Sequence, residues 1–411
     1  MTQIAFFGAT NSGKSTLVNA IAGQQVALVS DRPGTTTDPV RKRIEIPGIG
    51  PVVLVDTAGY GDEGELGAER ERLTRAVIDT TDVAVLLLSD HPADAHWRQL
   101  LEDADIPVVP VNVKEISPLA SLGRNDKNII PSEASVIPSE AKESLLRRIA
   151  AAIPSEEERF LTGDLVRKGD TVVMVMPQDS EAPKGRIILP QVQVLRELLD
   201  RGCVPVCCTP ETLPEAMTKK PDLVITDSQI FKQVDAAIPA DCPLTSFSIL
   251  LAAAKGDIDV VVEGAKAIDS LRPGARVLIA EACTHVPDNE DIGRVKIPAL
   301  LRKKISPLAS LGRNDKKATE TSVISSETSV ISSEVEKSLY IDIAGGNDFP
   351  EDLSGYDLII HCGACVASKR LVHSRIKKAL RAGVPITNYG IAIAALQGIL
   401  RRVEIPSLRS E

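Results

Sequence analysis

The eight residues GATNSGKS, Gly8 to Ser15, constrain this chain more than any other stretch. They follow the apolar run QIAFF and precede the helical pattern TLVNAIAG, which stops at Gly23. A strand, a glycine-rich loop and a helix in that order form a phosphate cradle. Gly8 and Gly13 let successive backbone N–H groups turn inward around phosphate oxygens, and the positive end of the following helix adds to the attraction. In such a loop Lys14 reaches the β- and γ-phosphates, the Ser15 hydroxyl binds magnesium, and Asn11, Ser12 and Thr16 complete the expected contacts.

Downstream segments extend the same chemistry. DRPGTTTDP offers Thr36, or Thr35, to the magnesium and the γ-phosphate. VVLVDTAG ends a strand at Asp56, placed to meet magnesium through water, and leaves the Gly59 N–H to sense the γ-phosphate. At this distance after a phosphate loop, DTAG marks the guanine-nucleotide branch, with Lys14, Thr36 and Gly59 as the expected catalytic set. Base reading departs from pattern. Where Asn-Lys-x-Asp is expected after an apolar strand, VVPVNVKEIS supplies Asn112, Val113, Lys114 and Glu115. Glu115 would accept the two guanine N–H donors on a longer stem, so strict guanine preference and relaxed specificity both stay open. SEAK, Ser139 to Lys142, resembles the last guanine motif but recurs within a Ser/Glu tract, and no site role is assigned to it.

Strand and helix patterns alternate along all 411 residues, which predicts an α/β chain of three domains, each with a mainly parallel sheet flanked by helices. The expected divisions are 1–155 for the nucleotide domain, 164–264 for a second domain and 265–411 for a third. Two segments break the rhythm. The string ISPLASLGRNDK occurs at Ile116 to Lys127 and again at Ile305 to Lys316, each copy leading into a Ser/Glu/Val tract. Two distant copies cannot stack into a solenoid. Segments 116–140 and 305–337 are therefore expected as disordered insertions, too polar to offset the entropy of ordering.

Composition excludes several classes. A net charge of -9, with no basic stripe and only 3% aromatic residues, argues against a nucleic-acid partner. No apolar run is long enough to span a bilayer, and MTQIAFF enters a strand at once, so a cytoplasmic protein without a membrane partner is expected. Seven cysteines, an odd number, fit reduced thiols or metal ligands. Cys203, Cys207 and Cys208, in or beside the strand VPVCC, are expected as small buried hydrophobes.

The remaining cysteines stand where chemistry is expected. Cys283 and His285 in EACTH end the strand RVLIAEA, and His361, Cys362 and Cys365 in HCGAC end the strand DLII. Ligands gather at the carboxyl ends of strands in open α/β sheets, so two strands deliver five donors to one edge. Three thiolates suit an iron-sulfur cluster whose fourth iron keeps another or exchangeable ligand, with His285 and His361 as candidates for that position or for the residues around it. A Cys3His zinc site and a redox pair of thiols are the alternatives.

On these motifs the first part of the chain resembles the TrmE/Era-like GTPases. In that group the residue after the DxxG glycine is not a water-orienting glutamine, and here it is Tyr60. Asn11 matches the asparagine with which related enzymes hold potassium, which implies potassium-stimulated hydrolysis. The whole chain outside the insertions resembles the HydF family, the maturation GTPases of FeFe hydrogenases, through APKGRIILPQVQ, PDLVITDSQ, LTSFSIL, EACTH, DIGRVKIP and HCGAC. The resemblance implies GTP and magnesium, a middle dimerisation domain giving a homodimer or a dimer of dimers, and a 4Fe-4S cluster on Cys283, Cys362 and Cys365. It further implies a scaffold that receives a transient diiron precursor from radical-SAM maturases and passes it to apo FeFe-hydrogenase. The alternative is a GTPase of tRNA modification or ribosome assembly with a zinc or structural thiol site.

Overall fold

The computed structural model describes residues 2–23, 39–61, 65–113, 138–154, 160–178, 184–282, 291–305, 339–346, 348–365 and 367–407. These form two compact units, 1–157 and 158–411. Both expected insertions lie largely outside the described residues, as do Thr36, Glu115, Cys283 and His285.

The first unit runs β1 (Thr2–Gly8), α1 (Lys14–Ala22), β2 (Val40–Ile46), β3 (Gly50–Asp56), α2 (Glu65–Ile78), β4 (Val83–Leu88), α3 (Asp94–Asp103), β5 (Val108–Asn112) and α4 (Ser139–Ala152). Its sheet has the order β2-β3-β1-β4-β5, parallel except for β2 against β3. IAFF and VAVLLL are continuous apolar runs because a parallel strand is covered on both faces. Phe6 therefore packs with Leu17 and Ile149 on one side, while Phe7 packs with Trp97 and Leu101 on the other. SEAK opens α4, where the Lys142 ammonium donates to the Ala20 carbonyl at 2.6 Å and ties this helix to α1.

The second unit holds two four-stranded parallel sheets. The first uses β6 (Thr171–Val175), α5 (Leu189–Asp200), β7 (Val204–Cys208), α6 (Leu213–Met217), β8 (Leu223–Thr226), α7 (Phe231–Ala237), β9 (Leu244–Ser246) and α8 (Phe247–Lys255). After α9 (Ile258–Ala265) and α10 (Ala267–Ser270), the second uses β10 (Ala275–Ala280), α11 (Ile297–Ile305), β11 (Leu339–Ala344), β12 (Leu358–His361), α12 (Lys369–Arg381), β13 (Ile386–Asn388) and α13 (Tyr389–Gln397). The orders β7-β6-β8-β9 and β11-β10-β12-β13 are the same pattern in successive strands. A shared core that includes Val173, Val224, Ile249, Ile279, Ile360 and Ile393 joins them.

Matching details recur. Ser246 and Asn388 each end a strand and cap the next helix, accepting from the N–H of Ile249 at 3.3 Å and of Ile391 at 2.9 Å. These two helices meet at Gly390, where a Cβ would lie 3.0 Å from the Ile249 side chain, and the Asn388 amide donates to the Ser248 carbonyl at 3.1 Å. Beyond α13 the chain returns to the first sheet, and the Glu404 N–H donates to the Leu244 carbonyl at 2.7 Å.

The expectation for the VPVCC cysteines holds only for Cys203, which is buried. Cys207 is exposed and Cys208 half-buried, because β7 is the edge of its sheet and one face is left to solvent. Desolvation pushes the Cys208 thiol up to about 11, which keeps it protonated and unreactive at neutral pH.

In each of the three sheets an aspartate just before a strand accepts the N–H of the first or second residue of the neighbouring strand. Asp82 serves Gln3 at 2.7 Å, Asp222 serves Thr171 at 2.8 Å, and Asp357 serves Arg276 at 2.8 Å. Asp82 is the most enclosed of the three, so Asp82→Ala should destabilise the first unit by about 1 kcal/mol, read as a lower urea midpoint at unchanged slope.

Candidate functional site

At the carboxyl end of β1 the chain turns through two left-handed residues, Asn11 at φ 62° and Gly13 at φ 90°, before α1 begins. Gly8 is required by close approach, since a Cβ there would lie 2.6 Å from Ser12 Oγ and 3.2 Å from the Leu87 carbonyl. Lys14 is buried, with its ammonium donating to the carbonyls of Gly8 at 3.0 Å and Ala9 at 2.9 Å across the loop. Ser12 is also buried, and Thr16 lies half-buried in the first turn of α1.

The Ser15 hydroxyl donates to Asp56 Oδ2 at 2.6 Å. Asp56 is fully buried, and its Oδ1 has no hydrogen-bond partner among the described residues. Burial pushes this carboxyl above its ordinary range, against the opposing pull of the Ser15 hydrogen bond and the Lys14 charge. A half-buried hydroxyl paired with a buried carboxylate that keeps one unsatisfied oxygen fits a magnesium ion, which would supply the missing positive charge and polarise phosphate oxygens.

The end of β3 is fastened to this loop. Thr10 N–H donates to the Tyr60 carbonyl at 3.0 Å, and a Cβ on Gly59 would lie 2.5 Å from Thr10 Cα. Only glycine allows this approach, and it sets the Gly59 N–H beside the phosphate loop. Tyr60 itself is buried, stacked on Trp97 at 4.9 Å between centroids, with its hydroxyl donating to Asp94 Oδ1 at 2.8 Å. It is thus an anchor between β3 and α3 and does not orient water. The absence of glutamine is visible in the motif, whereas this anchoring is not, since Asp94 is distant in the chain. Asn112 ends β5 and is half-buried.

The second grouping lies where β10 and β12 end side by side, with Ala280 opposite His361. The Cys362 N–H donates to the Ala280 carbonyl at 2.9 Å. Its Sγ accepts from the N–H of Ala282 at 3.1 Å and of Ala364 at 3.4 Å. Such donors favour a thiolate or a metal-bound sulfur. Ala282 directly precedes Cys283 in sequence, and Ala364, left-handed at φ 52°, turns the chain between Cys362 and Cys365. The donor chemistry thus fits a thiolate-held metal or cluster, although the described residues alone contain no group of three His, Cys, Asp or Glu poised to bind an ion.

His361 differs from the expected ligand role. It is buried, with Nδ1 at 2.8 Å from the Cys362 carbonyl and Nε2 at 3.0 Å from Arg375 Nη1. Because a guanidinium only donates, Nε2 is the acceptor and Nδ1 carries the proton, so both nitrogens are engaged. Burial and the Arg375 charge hold the ring down to about 4, and it stays neutral. Arg375 is the residue the sequence reading passed over. Almost fully buried, it also donates to the carbonyls of Glu281 at 3.1 Å and Gly346 at 2.5 Å, joining the ends of β10, β11 and β12. Its signal was positional, for Arg375 shares a helix face with Val372, Ile376 and Ala379.

The fold and first site define a P-loop GTPase unit followed by a double parallel-sheet unit. Residues 3–114 match the family described as 50S ribosome-binding GTPase. Residues 161–256 match the Hydrogen maturase F dimerization domain, and residues 259–327 and 318–405 match the Hydrogen maturase F tetramerization domain. The chain belongs to the hydrogen maturase F family: a GTPase domain, of a class that takes GTP and magnesium, precedes segments that match dimerization and tetramerization domains.

Similarity to curated proteins includes the tRNA modification GTPase MnmE of Acidiphilium cryptum, 38% identical over 133 residues, which is 30% of either chain. MnmE of Methylobacterium radiotolerans is 49% identical over 86 residues, 21% of this chain and 19% of that protein. The chain therefore spans less than a third of these relatives. Among solved structures, Era of Aquifex aeolicus bound to GDP.AlF4- aligns with a TM-score of 0.30 at 17% identity, covering 53% of this chain and 97% of that one. No helix among the described residues is long and apolar enough to cross a membrane.

Asp56 yields a signed prediction. With its folded value raised above 3.8, it stabilises the fold at low pH and loses that contribution as pH rises through the raised value, so its ionised form burdens the magnesium-free protein at pH 7. Asp56→Asn should raise the melting temperature in EDTA and abolish the further rise that magnesium and GTP give the wild type.

Proposed function

We propose that this GTPase is a scaffold that binds a 4Fe-4S cluster through Cys283, Cys362 and Cys365 and carries a diiron precursor to an apo FeFe-hydrogenase. The observation that carries the reading is the Ala282 N–H donated to Cys362 Sγ at 3.1 Å, which brings the residue before Cys283 to the HCGAC loop. A cluster on three thiolates would retain one iron position to bridge an incoming diiron unit. His285 remains the candidate at that position, since His361 is engaged elsewhere. The chain's own contribution is to set Cys362 where β12 ends beside β10, to supply N–H donors to its sulfur, and to keep the neighbouring imidazole neutral. GTP hydrolysis, with Lys14, Thr36 and Gly59 in catalysis and Asn112 and Glu115 reading the base, would time partner exchange with radical-SAM maturases and hydrogenase. The assignment of 164–264 to dimerisation and 265–411 to cluster binding belongs to this reading, as does a cytoplasmic location.

Anaerobic iron and sulfide analysis tests it. The wild type should be brown and hold about four irons per chain, the stoichiometry of a 4Fe-4S cluster, while Cys362→Ala should lose most of them. One equivalent of zinc with no iron would overturn the cluster in favour of a structural Cys3His site.

Asn11, left-handed at φ 62° in the phosphate loop, is proposed to hold potassium against the phosphates. Hydrolysis should be faster in potassium than in sodium, and Asn11→Ala should remove the difference; equal wild-type rates in the two salts would refute the assignment.

A further inference from the structure

The last residue of α8, Lys255, reaches out of the first four-stranded sheet into the cysteine loop of the second. Its ammonium donates to three carbonyls of that loop, those of Ala364 at 2.7 Å, Cys365 at 3.1 Å and Ala367 at 3.1 Å. An ammonium has three donors, and all three are used on one turn of backbone. The next residue, Gly256, is pressed against the helix that follows the loop, for a Cβ there would lie 3.2 Å from Ile376 Cδ1 and 3.4 Å from Val372 Cγ1. Lys255 and Gly256 thus fill the space between the cysteine loop and α12.

These contacts cross a boundary in the chain. Lys255 falls within residues 161–256, matched by the dimerization domain, whereas the loop belongs to the segment matched by the tetramerization domain. Ala364 holds a left-handed backbone that costs energy in any residue with a Cβ, so the turn needs outside support. Three charge-assisted hydrogen bonds to carbonyls that would otherwise end in a tight turn supply it.

We propose that Lys255 is a positioning residue for the cysteine loop: it fixes the turn between Cys362 and Cys365 from the neighbouring domain, so the metal-binding shape of one domain depends on a side chain of the other. The consequence for metal retention rests on the cluster reading above; the consequence for loop order does not.

The test uses the full-length chain and compares wild type with Lys255→Met and Lys255→Arg. In hydrogen exchange of the metal-free protein, Lys255→Met should speed exchange in a peptide spanning 362–368 by about tenfold or more, as loss of a charge-assisted bond implies. Peptides covering β10 and β13 should be unchanged, which excludes general unfolding, and Lys255→Arg should restore part of the protection. In reconstituted protein, iron release to a chelator should quicken in Lys255→Met and recover in Lys255→Arg, with a shifted EPR spectrum for the methionine variant. Unchanged exchange at 362–368 in Lys255→Met would overturn the proposal. A wild type that takes up no iron would sink the cluster reading alone, leaving exchange to decide the role of Lys255.

Discussion

Everything at the cysteine crevice depends on the register in which β10 and β12 pair. With Ala280 opposite His361, the ladder ends so that the Cys362 N–H closes on the Ala280 carbonyl and the Ala282 N–H is left to meet Cys362 Sγ. A slip of one residue would turn each of these side chains to the other face of the sheet. The nucleotide site rests on the same kind of constraint, for Phe6 pairs with Asp56 and thereby sets the carboxylate beside Ser15.

Both sites also hold charge away from water, and they satisfy it differently. Arg375 is surrounded by acceptors from three strand ends, including two carbonyls and an imidazole, so its desolvation is offset by hydrogen bonds. Asp56 keeps an unmatched oxygen. The first arrangement draws its main hydrogen bonds from the protein itself and reads as architecture, whereas the second leaves a carboxylate oxygen that a cation would satisfy. The contrast separates a buried charge that shapes a site from one that serves as part of it.

The phosphate loop was legible because its chemistry is local: eight consecutive residues contain the turn, the lysine and the hydroxyl. The alternating pattern that announced parallel sheets was legible for a similar reason, since apolar runs such as VAVLLL record burial on both faces. The anchoring of Tyr60 to Asp94 and the three-way clamp of Arg375 were not, because each joins residues far apart in sequence and neither partner has a distinctive neighbour. The orientation of His361 was hidden for the opposite reason. Its place beside Cys362 suggested a ligand, yet adjacent residues at a strand end point to opposite sides, and the ring turns inward to Arg375. The edge position of β7, which exposes Cys207, is likewise a property of strand order and not of the string VPVCC.

The return of the chain to β9 has a consequence for how copies of this protein can join. The Glu404 N–H occupies the outer rim of that strand, and the Leu244 and Val403 bridge extends the cover, so among the described residues the first four-stranded sheet leaves β7 as its open rim. A sheet open on both rims can polymerise end to end, whereas one with a single open rim can pair once with its own copy about a two-fold axis and then has nothing left to offer. The return of Val403 and Glu404 to β9 thus limits what this one sheet can add at its rims.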